Sequence, residues 1–425
     1  MGGPLEGVKI LEFSEIIAAP FAGMLLSDMG ADVIKIEPPW GEPWRHTRPF
    51  APNESKTYIA LNRGKRSLPL NLTMGKAKDI VYKMIPGVDV VLINARPDVP
   101  EKLGIDYLTL SRINPQLIYC DNTAFGRKGP HSDRPGYDII AQAMTGLMAS
   151  ENRIEDGVPQ QIQSSPVADF ATGIAMAWSV TSALYHRERT GKGQFVETTL
   201  MTTALALQSY SFLQVDALES DTVNEFVETL GLLRGSGTNY EQISEYHRNT
   251  FEVGRPAIGN PYYRTYQAFD GVIEVGCLSD PLKRKMCSVL GVSDPRLEPT
   301  NTYDIEDSAK LASELSQVME ANFKTRSVSD WLGDFDDVGV PAGPVRFVQE
   351  LLTDEQVLSN NMITNLEHSQ IGSINMVGPL VKMSDSPLEA KIASPSLGEH
   401  TNEILTAMGI SDEEIQKLRE DNVIS

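Results

Sequence analysis

Cysteine is scarce: Cys120, Cys277 and Cys287 are the three in 425 residues. Their odd number and the lack of CxxC spacing exclude a disulfide framework and a cysteine-built zinc site, which leaves buried thiols as their reading. Positive charge is in deficit, with 37 Lys and Arg against 57 Asp and Glu and a formal net charge of −20. That balance opposes association with nucleic acid or an anionic membrane, both polyanions. Long apolar runs are missing as well. Ile16 to Leu26 and Ile174 to Tyr185 are interrupted or too short to cross a bilayer, and Met1 to Lys9 lacks the basic segment and apolar stretch of a secretory leader. The expectation is a cytoplasmic protein without membrane contact. No GxGxxG lies between Phe13 and Pro20, at the first strand-to-helix turn, so a nicotinamide dinucleotide site is disfavoured. The six histidines show no metal-binding spacing, and no metal site is expected.

What is present reads as a multi-domain α/β protein. Val8 to Phe13 predicts a strand, Pro20 to Met29 a helix closed before Gly30, and Asp32 to Glu37 a second strand. Helix Lys76 to Met84 and strands Asp89 to Asn94 and Leu117 to Cys120 continue a parallel βαβ pattern, so this part is expected to be doubly wound. Tyr137 to Ser150 and Asp169 to His186 are helical, the second ended by the basic turn Arg187 to Lys192. Between Asp216 and Thr325 the rhythm changes, and Asp270-Gly271 between apolar runs signals a hairpin. The expected organisation is a large α/β domain over 1–215 and 326–425, with a smaller α+β domain inserted at 216–325. Pro341 to Leu352 is taken as a return to the large domain, and Thr401 to Arg419 as an amphipathic helical pair.

Two features carry chemistry. Asp169 begins a helix after Ser164-Ser165-Pro166-Val167-Ala168. It reads either as an N-cap accepting backbone N–H bonds or as a carboxylate held ionised at the helix terminus and able to attack an electrophilic carbonyl. The second feature is basic density in an acidic chain: Arg63, Lys65 and Arg66 within Asn62 to Ser67, and Lys35, Arg96, Arg127, Lys128 and Arg134 at strand ends or in loops. Such cations suit phosphates, although each taken alone is equally a solvated surface charge.

The order of several segments resembles the class III CoA-transferases, the family of formyl-CoA transferase and carnitine CoA-transferase. They are Gly7 to Phe13, Ala19-Pro20, Gly30 to Glu37, Asn62 to Ser67, Gly136-Tyr137-Asp138, Asp169 to Gly173, Arg189 to Gln194, Val340 to Val345 and Leu397 to Thr401. The resemblance implies an EC 2.8.3-type enzyme with a Rossmann-like large domain built from both chain ends and two subunits interlocked as a homodimer. Its substrates would be an acyl-CoA, with succinyl-CoA one possibility, and a free carboxylic acid. No permanently bound cofactor is implied. The family's catalytic aspartate falls on Asp169, which would form aspartyl mixed-anhydride and aspartyl-CoA thioester intermediates. Coenzyme A would lie near Asn62 to Ser67, Lys35 to Pro38 and Asn94 to Pro97, implicating Lys35, Pro38, Asn62, Arg63, Lys65, Arg66, Asn94 and Arg96, with Arg127 and Lys128 as further basic candidates.

Oxyanion stabilisation is assigned by resemblance to the loop at Gly259 and Asn260, poorer in glycine than in formyl-CoA transferases. Ile17 stands where those enzymes have glutamine, which argues against formate and oxalate. Ile17 and Tyr137 are acyl-pocket candidates, and Arg45 and Arg264, with His46, Arg48 and Arg255, are weighed as partners for a second carboxylate of a dicarboxylate. Two rivals are an α-methylacyl-CoA racemase and a noncatalytic subunit of a hetero-oligomer. The racemases carry a histidine where this chain has Tyr137, a poor base at neutral pH, and Asp138 is read as a helix N-cap. Asp169 itself argues against the noncatalytic subunit.

Overall fold

Val90 to Ile93 are four consecutive apolar residues, all buried, as a strand covered on both faces requires. In the computed structural model, which describes residues 2–251 and 260–425, that segment is β4 of a six-stranded sheet. The others are β1 (Lys9–Phe13), β2 (Asp32–Glu37), β3 (Lys65–Pro69), β5 (Ile118–Thr123) and β6 (Gln194–Thr199). The order is β3-β2-β1-β4-β5-β6, with every neighbouring pair parallel. This is the doubly wound order that reverses between β1 and β4.

Alternation along the strands sorts the core into two layers. Ile10, Val33, Val90 and Leu92 pack with α1 (Ala18–Asp28) and α4 (Val167–Thr190). Leu11, Phe13, Val91 and Ile93 pack on the other face with α2 (Gly75–Met84) and with Ile404, Leu405 and Ile415 of the C-terminal helices Thr401–Ala407 and Asp412–Glu420. Both ends of the chain therefore serve one sheet. The first unit comprises Met1–Asp216 and Gln356–Ser425.

By length and composition α4 could cross a membrane. Here it lies along the sheet with Met176, Ala177, Val180, Ala183 and Leu184 buried. Gly173 lets α1 approach closely, since an added Cβ would sit 2.7 Å from the Ala18 carbonyl oxygen. Gly191, at φ 70°, ends the helix.

Ala217–Glu355 forms the second unit. Its antiparallel sheet orders Tyr263–Gln267, Val272–Gly276 and Ala342–Pro344, the first two joined at the Asp270-Gly271 hairpin. Tyr266, Ile273, Phe323, Trp331 and Phe335 form its core. The boundary expected at 326 thus falls inside this unit. Helix Val328–Val338 supplies Trp331 and Phe335 to the core, and Ala342–Pro344 pairs with Val272–Gly276 instead of returning to the parallel sheet. Strand β6 was not anticipated either, because its Phe195-Val196 pair is followed by Glu197, Thr198 and Thr199 with no apolar alternation.

Candidate active site

Ligands of open α/β sheets bind beyond the carboxyl ends of the strands, where strand order reverses. At that place the first unit has a cavity of about 500 Å³. Its walls are Phe13 to Ile17 after β1, Pro38 to Trp40 and Glu42 after β2, Leu70 to Thr73 after β3, and Asn94 to Pro97 after β4. Asn122 to Ala124 at the end of β5, Ser132, Arg134 to Tyr137 and Asp169 line the cavity too, as do Ile93, Leu103, Ile105 and Leu200.

Asp169 sits in the first turn of α4, which begins two residues earlier than the sequence suggested, at Val167. It is not the cap. The cap comes from another helix, α3 (Asp138–Met144), through Asp138, whose Oδ1 accepts the N–H of Ala168 at 2.7 Å and of Asp169 at 3.1 Å. Gln142 Nε2 donates to the other Asp138 oxygen at 2.5 Å. Asp138 thus caps α4 rather than its own helix, and both of its carboxylate oxygens accept hydrogen bonds. Small residues let these elements meet: Ala18, Ala141, Ala168 and Ala204, the last from α5 (Leu200–Leu207), cluster with Leu200. Phe170 adds an edge contact to Phe21 at 4.9 Å.

A helix N-terminus lowers a carboxyl pKa, yet burial, and after it the negative Asp138, push Asp169 up to about 7. The expected carboxylate held firmly ionised therefore gives way to one poised near neutrality. Such an acid beside an apolar cavity can attack an electrophile or exchange a proton.

The basic residues divide. Lys35 is wholly buried, its Nζ 3.1 Å from Glu12 and 3.0 Å from Glu42. Lys65 lies 2.8 Å from Glu12 and also donates to Asn62 Oδ1 at 2.8 Å, while the Asn62 amide donates to the Tyr58 carbonyl. Arg63 grips both oxygens of Asp28, and Arg66 binds Asp32 and Glu403. Arg45 is buried between Glu37 and Glu54, and Arg127 binds Asp121. These cations pair with carboxylates of the fold, and none of Lys35, Arg45, Arg63, Lys65, Arg66 and Arg127 lines the cavity. Asn62 and the exposed Lys128 do not line the cavity.

Pro38, Asn94, Arg96, Ile17 and Tyr137 do line it, together with Asp169. Asn260 and Arg264 belong to the second unit, where Asn260 Oδ1 accepts the Tyr262 N–H at 3.0 Å and the Arg264 guanidinium lies over the Tyr266 ring at 4.9 Å. Gly259 and Arg255 lie outside the described residues. Sequence reasoning missed Glu15, Ile16, Trp40 and Glu42 in the walls, because nothing in an Ile-Ile pair or a lone glutamate marks them locally. Among the described residues no group of His, Cys, Asp and Glu is arranged to hold a metal ion.

Comparison with known proteins identifies the family. The model of the family described as CoA-transferase family III matches residues 5–401. A succinyl-CoA:glutarate CoA-transferase of Mus musculus is 30% identical over 98% of this chain and 89% of its own length. A succinate–glutarate CoA-transferase of Agrobacterium fabrum is 30% identical over 95% of this chain and 96% of that protein. Among solved structures, a CAIB/BAIF family protein from Brucella suis aligns with a TM-score of 0.72 at 28% identity, covering 96% of this chain and all of the other.

Proposed function

Because this chain belongs to CoA-transferase family III, we propose that it transfers coenzyme A from an acyl-CoA, with succinyl-CoA as a competent donor, to a free carboxylic acid through covalent catalysis by Asp169. The observation that carries this reading is a carboxyl group on the wall of an apolar cavity, without a cation paired to it among the described residues and with its pKa raised to about 7 by burial and Asp138. Desolvation makes a carboxylate a better nucleophile once it is ionised, and excluding water protects an anhydride from hydrolysis.

In the proposed sequence an Asp169 oxygen attacks the thioester carbonyl, the C–S bond breaks, and an aspartyl mixed anhydride and CoA thiolate result. The thiolate attacks the aspartyl carbonyl and releases the donor acid, leaving aspartyl-CoA. The acceptor carboxylate displaces the thiolate to form a second anhydride. Attack of the thiolate on the acceptor-derived carbonyl yields the new acyl-CoA and frees Asp169. The nucleotide end of CoA would occupy the far walls, where Leu70, Leu72, Ile93 and Ala95 offer an apolar surface and Arg96 and Arg134 supply charge. The names of the relatives favour dicarboxylic substrates.

A homodimer in the cytoplasm is part of the same reading. Ile174, Trp178 and Tyr185 of α4 are 50%, 72% and 66% exposed, an apolar row that a second copy would cover; sedimentation would show the dimer and cell fractionation the location. The activity is tested by incubating the protein with succinyl-CoA and a panel of mono- and dicarboxylic acids and following acyl-CoA products by chromatography. New acyl-CoA is expected. No transfer with any acceptor, accompanied by solvent deuterium entering a 2-methylacyl-CoA, would replace this reading with a racemase.

A further inference from the structure

Ile16 has φ 73°, a left-handed backbone that a β-branched residue adopts only under constraint. The constraint is visible. Its N–H donates to Glu42 Oε2 at 2.7 Å, and Glu42 is itself fixed: Lys35 Nζ lies 3.0 Å from its other oxygen, its backbone N–H donates to Glu37 Oε2 at 3.3 Å, and it is 1% exposed. The preceding residue is clamped independently, since the Asn94 side chain accepts the Glu15 N–H at 3.0 Å and donates to the Glu15 carbonyl at 2.8 Å. Glu15, Ile16, Ile17 and Glu42 share the cavity wall with Asp169. A turn that merely joined β1 to α1 would take glycine here, where positive φ carries no strain. This one keeps isoleucine and ties it to a buried carboxylate.

We propose that Glu42 is a positioning residue: it holds the Ile16 turn in its left-handed conformation and so sets Ile17 and the turn's peptide groups against the acyl carbonyl reacting at Asp169. The proposal rests on the reading of Asp169 as the nucleophile. It assigns Glu42 a role beyond balancing the Lys35 charge, and that difference can be measured.

Wild type, Glu42→Ala and the double variant Ile16→Gly/Glu42→Ala are compared for kcat, KM for succinyl-CoA and Tm. Glu42→Ala is expected to lower kcat about 100-fold, the scale of a misplaced reacting geometry, with KM changed by less than about threefold, as befits a loss confined to the chemical steps. In the double variant glycine takes the positive φ unaided, so about tenfold of the loss returns although Lys35 still lacks its Glu42 partner and keeps only Glu12 as a carboxylate neighbour. Equal kcat in the single and double variants, or a rise in KM that accounts for the loss, overturns the proposal. Should Glu42→Ala not fold, Glu42→Gln replaces it, because its amide oxygen still accepts the Ile16 N–H. Near-normal kcat with a lowered Tm then supports the role, and a loss near 100-fold contradicts it. Absence of transfer in the wild type removes the nucleophile reading and this proposal with it, an outcome separate from a defect confined to the variants.

Discussion

On the β1–β2–β3 side of the first unit, Glu12 and Glu37 are buried and each meets cations: Lys35 at 3.1 Å and Lys65 at 2.8 Å for Glu12, Arg45 at 2.8 Å for Glu37. On the α4 side, the charge that shifts half-buried Asp169 is another acid, Asp138. The consequences run in opposite directions. Arg45 holds Glu37 below the usual carboxylate range against the opposing effect of burial, whereas Asp169 rises to about 7. Glu54 shows the limit of pairing, for burial lifts it to about 7 even with Arg45 at 3.3 Å, but it does not line the cavity. Paired burial builds an interior; an uncompensated acid facing a cavity stores reactivity. The first side is accordingly read as architecture and the second as chemistry.

The sharpest way to break that contrast is Asp169→Asn. Loss of a nucleophile is expected to lower kcat by about 10⁴-fold or more, measured as initial rates of acyl-CoA exchange. The same variant should be more stable. Since the folded pKa of about 7 lies above an ordinary aspartate's 3.8, the fold favours the neutral acid. The cost of ionising it is absent below pH 4, grows as pH rises toward 7 and is complete above. Asp169→Asn should therefore gain on the order of 2 kcal/mol at pH 8, allowing for partial exposure, and nothing near pH 4; urea unfolding at both pH values decides.

Next in size is Lys35→Met. If the network is structural, unfolding free energy falls by about 3–5 kcal/mol, because Glu12 and Glu42 lose a buried partner, while CoA affinity of the folded protein stays within about twofold. Loss of CoA affinity at unchanged stability would return Lys35 to the ligand site. The wild-type pH profile comes third: kcat/KM should rise with pH through about 7 as Asp169 ionises. Asp138→Asn removes the neighbouring charge and should move that limb about one unit lower, while its amide oxygen still accepts the N–H groups that cap α4. The smallest effect is expected at Arg96→Ala, where an exposed cation on the cavity wall is lost. KM for acyl-CoA should rise about fivefold, corresponding to ~1 kcal/mol, and the effect should shrink as salt screens it.

How far the sequence could be read follows from the same contrast. Strand Asp32–Glu37 and helix Gly75–Met84 were legible because alternation and periodicity are local signals. The place of Asp169 in the first turn of a helix was legible from the segment around it. The function of Lys35, Arg63, Lys65 and Arg66 was not, since their partners Glu12, Asp28, Asp32, Glu42 and Glu403 come from other elements. Cation density looks the same whether it neutralises phosphates or buried carboxylates. The Asp138 cap spans α3 and α4 and is equally nonlocal, and a positive φ at Ile16 leaves no trace in residue identity.

The central claim, a covalent role for Asp169, is tested most directly by incubating the protein with succinyl-CoA, trapping with hydroxylamine and mapping peptides by mass spectrometry. A hydroxamate on Asp169, absent without the donor and absent in Asp169→Asn, is the predicted result. A wild-type protein that turns over succinyl-CoA yet carries no adduct at Asp169 under rapid quench would contradict the account.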